Sequence, residues 1–221
     1  CQYRSGPRRL LAPRQDECPR LRRQMVEGAG KVAPVPMAKP RLFLVAPLDL
    51  SAEQILACAT AACATGDVAS IVVPLAALNA VTAKLQSLGL AVLANGVTEA
   101  KCDGVHLNGL VDDVALARRT LGKDMIVGAF CAASRHAAMQ AAEDGADYIA
   151  LSQNTYTPSE PIIGWWADLF EIPCVAFDPV ELDELDILLP QKPDFIRPAD
   201  AMWTSPREAQ HIVSGLMQRM A

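Results

Sequence analysis

The chain has 221 residues, 51% of them hydrophobic, which suits one buried core with an appendage and leaves no apolar run near the roughly 18 residues of a membrane span. Its formal net charge of −5 is uneven: the first 36 residues carry seven Arg and one Lys against three acids, and the rest is net acidic. That balance argues against a nucleic-acid footprint on the folded part, and without a long apolar run no membrane partner is expected. The oligomeric state is not written in the composition.

Residues 1–36 are rich in Arg and Pro without an apolar period, so they bury too little surface to offset the entropy of ordering them. They are expected to form a disordered N-terminal extension. A mitochondrial-type presequence fits in part, since it would be Arg-rich and poor in acids, but no clear amphipathic helix is present. An extension without function is the simpler reading, with the folded domain spanning 37–221. The seven cysteines (Cys1, Cys18, Cys58, Cys63, Cys102, Cys131, Cys174) are odd in number and lack paired metal-ligand spacing. They read as small hydrophobes in a reducing, cytoplasmic setting.

From Arg41 onward, short β-rich apolar runs alternate with helical patterns. Strands are expected at 42–47, 68–73, 90–95, 103–107, 125–130, 147–152, 173–178 and 194–198. Helices are expected at 51–65, 75–88, a stub near 97–101, 111–121, 134–144, a turn near 165–170, 180–189 and 205–220. The last is the clearest, with Ser205 and Glu208 as a capping box and Pro206 in the first turn. Such alternation implies parallel strands with helical crossovers, and eight strands are the number that closes a (β/α)8 TIM barrel. The competing open doubly wound sheet lacks its Gly-rich turn after the first strand.

The order DGVHL (103–107), an ARR-containing helix ending in Leu121-Gly122, VGAF (127–130) and AAEDGADYIAL (141–151) resembles the thiamine phosphate synthase family. The likeness extends more weakly from about Pro40 to Trp203. It implies a TIM barrel that couples hydroxymethylpyrimidine diphosphate to a thiazole phosphate with Mg2+. A TIM barrel builds its site at the carboxyl ends of the strands, so each end can be compared with the family's pattern. After strand 2 the family's Gln-x-Arg-x-Lys run reads Ile71-Val72-Val73-Pro74-Leu75. After strand 3 its Asn-Asp reads Asn95-Gly96, where Asn95 binds a pyrimidine edge or caps a loop.

His106 matches, as a group that approaches a phosphate or passes a proton, or as a ring packed under its loop. The resemblance places Asn108 and Gly109 where the family has Gly-Gln, and Val111 at a metal-binding Asp; Asp112 and Asp113 fall one and two positions late and read as helix N-terminal acids. No metal ligand is assigned. Cys131 stands near a family Ser hydroxyl, Ser134 reads as a helix cap, and Thr157, Ser159 and Glu160 align with the last hydroxyls and Lys after strand 6. The Gly-rich cup of strands 7 and 8 reads Phe177-Asp178-Pro179 and Ile196-Arg197-Pro198. Arg197 with the helix start at Ser205 forms an anion site, or else pairs with Asp178 or Asp200. Trp165 and Trp166 cover the mouth or pack.

The residues taken as substrate-binding are thus Asn95, His106, Asn108, Cys131, Thr157, Ser159, Asp178 and Arg197. The expected partner is a small phosphorylated metabolite. The expected activity is the family's transfer, retained, altered or lost, with a non-catalytic ligand-binding barrel as the alternative.

Overall fold

The computed structural model describes residues 39–98, 100–110, 112–153 and 161–221; the extension expected over 1–36 lies outside the described residues. Eight parallel strands, β1 (Arg41–Val45), β2 (Val68–Val73), β3 (Ala91–Asn95), β4 (Gly104–Asn108), β5 (Ile126–Phe130), β6 (Tyr148–Leu151), β7 (Cys174–Val180) and β8 (Phe195–Pro198), close in sequence order into a barrel. Among the described residues, seven α-helices lie between or after them: α1 (Ala52–Cys63), α2 (Leu75–Ser87), α3 (Val114–Leu121), α4 (Arg135–Glu143), α5 (Ile162–Leu169), α6 (Leu185–Leu188) and α7 (Pro206–Arg219). The fold is a (β/α)8 barrel.

Three departures from the expected elements have local causes. The stub near 97–101 is absent among the described residues, because the connection from β3 to β4 is short and Thr98 Oγ1 accepts from the Ala100 N–H, which favours a turn. The helix expected at 180–189 shrinks to α6 and a 3-10 turn at Leu189–Gln191, since β7 runs on to Val180 and Pro190 removes a donor from the next turn. Conversely, the turn near 165–170 is part of a helix, α5. The caps follow their chemistry: Ser51, Asp113, Ser134 and Ser205 each accept a backbone N–H of their helix's first turn. Because Asp113 is a cap, α3 starts at Val114 and not at 111.

Period-2 alternation divides the strand side chains between two cores. Leu42, Leu44, Ile71, Val73, Val92, Leu107, Val127 and Ile149 face the helices and pack with Ile55, Leu78, Val81, Val213 and Leu216. Phe43, Val72, Leu93, Tyr148, Ala150 and Val175 fill the barrel interior, with Phe130, Phe177 and Phe195 against them. The interior is therefore packed with rings, not open.

At the amino-terminal end of the barrel, one device recurs. Asp103, Asp147 and Asp194 each stand just before an even-numbered strand. Each donates its own N–H to a carbonyl at the start of the neighbouring strand (Val92, Val127, Cys174) and accepts that same residue's N–H on its carboxylate, at 2.8, 2.8 and 2.9 Å. Asp67, before β2, holds β1 instead through the Arg41 Nε at 2.9 Å and the Leu42 N–H on its carbonyl. Four aspartates thus clasp the strand pairs at the barrel floor.

Candidate functional site

The same alternation sorts the expected site residues at the other end. Asn95, His106, Gly128 and Tyr148 lie in one register row across β3, β4, β5 and β6, and residues in register share a face. Asn108 follows His106 by two, so it too is on the inner face, at the exposed end of β4. Arg197 alternates inward with Phe195 on β8. Four expected residues, Asn95, His106, Asn108 and Arg197, therefore point towards one barrel mouth.

His106 is the centre of this group. It is 6% exposed, its Nδ1 lies 2.7 Å from the Tyr148 hydroxyl, and its ring stacks on Phe177 (centroids 4.9 Å, planes 18° apart), with the Tyr148 ring nearly parallel at its edge (5.9 Å, 13°). The Arg197 guanidinium lies over the Phe177 ring, 5.2 Å from its centroid. His106, Phe177 and Arg197 lie one against another under the mouth with Tyr148 at the imidazole edge, and Phe43 meets all three of the aromatic rings. Burial, with a smaller push from the Arg197 charge, lowers the His106 pKa from 6.5 to about 4. The imidazole is neutral at ordinary pH and does not carry the charge a phosphate would seek. Burial, aided by Asp147, keeps the Tyr148 phenol protonated.

Arg197 donates from Nη2 to Asp200 at 2.7 Å and from Nη1 to the Phe177 carbonyl at 3.3 Å, so of the two acids considered for it the partner is Asp200. Its Nε–H is buried without a partner. Buried donors are seldom left so, and a guanidinium with one spare N–H at a barrel mouth is suited to a single added anion.

The other expected residues are placed differently. Cys131 is fully buried in the outer core, its sulfur beside Gly109, and burial pushes its pKa up to about 12; a thiol so enclosed presents no hydroxyl-like group to a substrate. The Asp178 carboxylate accepts the Gln153 N–H at 2.7 Å and so braces the start of the loop after β6. Asn108 is partly occupied as a turn residue, with Oδ1 accepting from the Leu110 N–H at 3.2 Å. Thr157 and Ser159 lie outside the described residues. Trp166 is fully buried, bonded to the Ile172 carbonyl and stacked on Phe170 at 4.0 Å; Trp165 carries the Arg135 guanidinium on its face. His136 and His211 are exposed on their helices.

Magnesium asks for oxygen ligands in near-octahedral array, usually one or two carboxylates besides the substrate. Asp112 is committed to the Asn108 N–H at 2.7 Å, Asp113 caps α3 through the Leu116 N–H, and among the described residues no cluster of three His, Cys, Asp or Glu is placed to hold an ion. These residues do not fit the family's metal. Two groups escaped the sequence reading: Tyr148, and the Gly128 that makes room for it. A Cβ on Gly128 would stand 1.9 Å from Tyr148 Cζ. The signal was available, since Gly128 and Tyr148 both keep the inward parity of their strands.

A family model described as "Thiamine monophosphate synthase" matches residues 88–192. The thiamine-phosphate synthase of Rhodospirillum centenum is 31% identical over 191 residues, which is 77% of this chain and 92% of that protein. That of Hyphomonas neptunium is 33% identical over 157 residues, 64% of this chain and 71% of the relative. Among solved structures, a thiamine phosphate pyrophosphorylase from Pyrococcus furiosus superposes with a TM-score of 0.66 at 17% identity, over 82% of this chain and 96% of its own. At that identity the superposition speaks for the barrel alone, whereas the sequence relatives reach further: the chain belongs to the thiamine-phosphate synthase family.

Proposed function

We propose that this chain binds a singly phosphorylated thiazole-type metabolite at its barrel mouth and does not carry out the diphosphate-releasing coupling at an ordinary enzymatic rate. Members of the family bind phosphorylated pyrimidine and thiazole substrates in a reaction that generally uses magnesium. Releasing diphosphate calls for several cations aimed at the developing anion. The observation that carries the proposal is the supply of such cations. Among the described residues at the strands' carboxyl ends and the two positions after them, Arg197 is the sole Lys or Arg. The loop sequence 154–160 adds Glu160 and no cation.

The first half of the rim is apolar. Leu48, Leu75, Val97 and Leu110, in the segments after β1, β2, β3 and β4, are 48–75% exposed. A diphosphate there would lose its hydration without a compensating charge. A monoanion, by contrast, meets the Arg197 guanidinium, with the Phe177 and Phe130 rings beside it to take a flat heterocycle. Asp112, Asp113 and Asp178 near the mouth are each engaged by a backbone N–H group, and Asp200 by Arg197.

The test is to mix the purified chain with both family substrates and magnesium and follow product, with calorimetry against the thiazole phosphate alone. Binding of the thiazole phosphate without turnover is expected. Product formed at an ordinary enzymatic rate would overturn the proposal.

A further inference from the structure

We infer that Tyr148 is a positioning residue: its hydroxyl donates to His106 Nδ1 and fixes the imidazole in the tautomer with its proton on Nε2, so that His106 is a set hydrogen-bond donor to a bound ligand and not a proton acceptor. The donor role rests on the ligand-binding reading above; the tautomer does not. Three features lead to it. The 2.7 Å contact spans two strands, from β4 to β6, and is possible only because the residue between them in the register row is Gly128, over whose Cα the phenol ring lies. One face of the imidazole lies against Phe177 and its Nδ1 edge is held by Tyr148, so a turn of the ring that exchanged its nitrogens would break the 2.7 Å contact.

The third feature is the direction of the proton. A phenol is a stronger acid than a neutral imidazole N–H, and an imidazole nitrogen accepts better than a phenol oxygen. Among the described residues the Tyr148 hydroxyl has His106 as its hydrogen-bond partner. The opposite arrangement would turn the phenol proton into buried surroundings without an acceptor, and an unmade buried hydrogen bond is the costlier outcome. The groups facing His106 support a neutral ring. β8 brings the positive Arg197 and β6 brings the phenol. The facing residues of β1, β3, β5 and β7 (Phe43, Asn95, Gly128 and Phe177) are uncharged.

Long-range proton–nitrogen correlation spectra of the full chain, labelled with 15N-histidine, test the tautomer directly. The His106 signals are identified by their loss in His106→Gln. The expected spectrum is the Nε2–H pattern, unchanged between pH 5.5 and 8.5. A proton on Nδ1, or a pattern that changes across that pH range, would overturn the inference. In Tyr148→Phe the His106 pattern should move towards a mixture of tautomers; an unchanged pattern in a folded variant counts against positioning, and if that variant does not fold, the unsubstituted spectrum decides.

Calorimetry with the thiazole phosphate tests the donor role. A Gln amide nitrogen falls near the place of Nε2 and an Asn amide nitrogen near Nδ1, so His106→Gln should keep affinity within about threefold and His106→Asn should lose tenfold or more. Equal losses would refute the donor role. No binding by the unsubstituted chain would instead refute the functional reading and the donor role together, leaving the tautomer to the spectrum.

Discussion

Two arginine–aspartate pairs sit at opposite ends of this barrel and are built for opposite ends. At the floor, Arg118 donates to the carbonyls of Gly122, Met125 and Gly145 as well as to Asp147, whose carboxylate also takes the Val127 N–H. Its donors are spent on the fold. At the mouth, Arg197 has an exposed carboxylate, one carbonyl and a buried Nε–H with no partner. A fully satisfied cation stabilises; an under-satisfied one is held available. The difference separates the end of the barrel that keeps it closed from the end that meets a ligand, and substitutions at the two ends should behave accordingly.

The largest expected effect on stability is at the floor. Asp147→Ala removes the acceptor of the Val127 N–H and the counter-charge of a guanidinium whose side chain is only 19% exposed. Leaving both short of partners costs about 3 kcal/mol, which for a barrel of this size lowers the melting temperature by roughly 6–12 °C. Denaturant unfolding should show this loss with calorimetric ligand affinity unchanged. A loss below about 1 kcal/mol would mean that the clasp is ornamental.

How much of this was readable beforehand differs between the two ends for a physical reason. The strands were legible because each is an apolar run bounded by turn residues; the expected strand over 68–73 matches β2, Val68–Val73. The floor was also written in the chain, as Asp67, Asp103, Asp147 and Asp194 each directly before an even strand, though as a spacing it means little until the strands close. At the mouth, the sequence marked His106 and Arg197 through their positions, but not that one is buried and neutral and the other lacks a partner for Nε. Those properties arise from ring packing between β4, β6 and β7, residues some 30 to 70 apart in the chain. The Cys131 expectation went astray by one residue of parity: Phe130 faces inward, so its neighbour faces the helices.

A smaller effect, confined to acid, belongs to the mouth. The folded His106 resists protonation until about pH 4, whereas in the unfolded chain it takes up a proton near 6.5. Above pH 6.5 the residue makes no difference; as pH falls from 6.5 towards 4 the unfolded state binds the extra proton and stability drops. At pH 4.5 the loss amounts to roughly 2–3 kcal/mol. His106→Gln abolishes this titration, so the stability difference between pH 7.5 and 4.5 should be about that much smaller than in the unsubstituted chain. Identical acid limbs in urea unfolding would show that the ring is protonated within the fold.

The smallest stability effect should come from the mouth arginine, which is what distinguishes it most clearly from Arg118. In Arg197→Gln the bond to Asp200 is lost, but that carboxylate is 51% exposed and water replaces the guanidinium at little cost, as for other exposed ion pairs. The buried Nε–H without a partner disappears as well, and with it a desolvation penalty. The two changes oppose each other, and the net effect on unfolding should lie within about 0.5 kcal/mol. Affinity for the thiazole phosphate should nevertheless fall at least tenfold, because a charge-assisted bond to an anion contributes about 1.5–3 kcal/mol. If Arg197→Gln instead destabilised the barrel as much as Asp147→Ala while ligand affinity held, the mouth arginine would be a second clasp, and the contrast between the two ends would be lost.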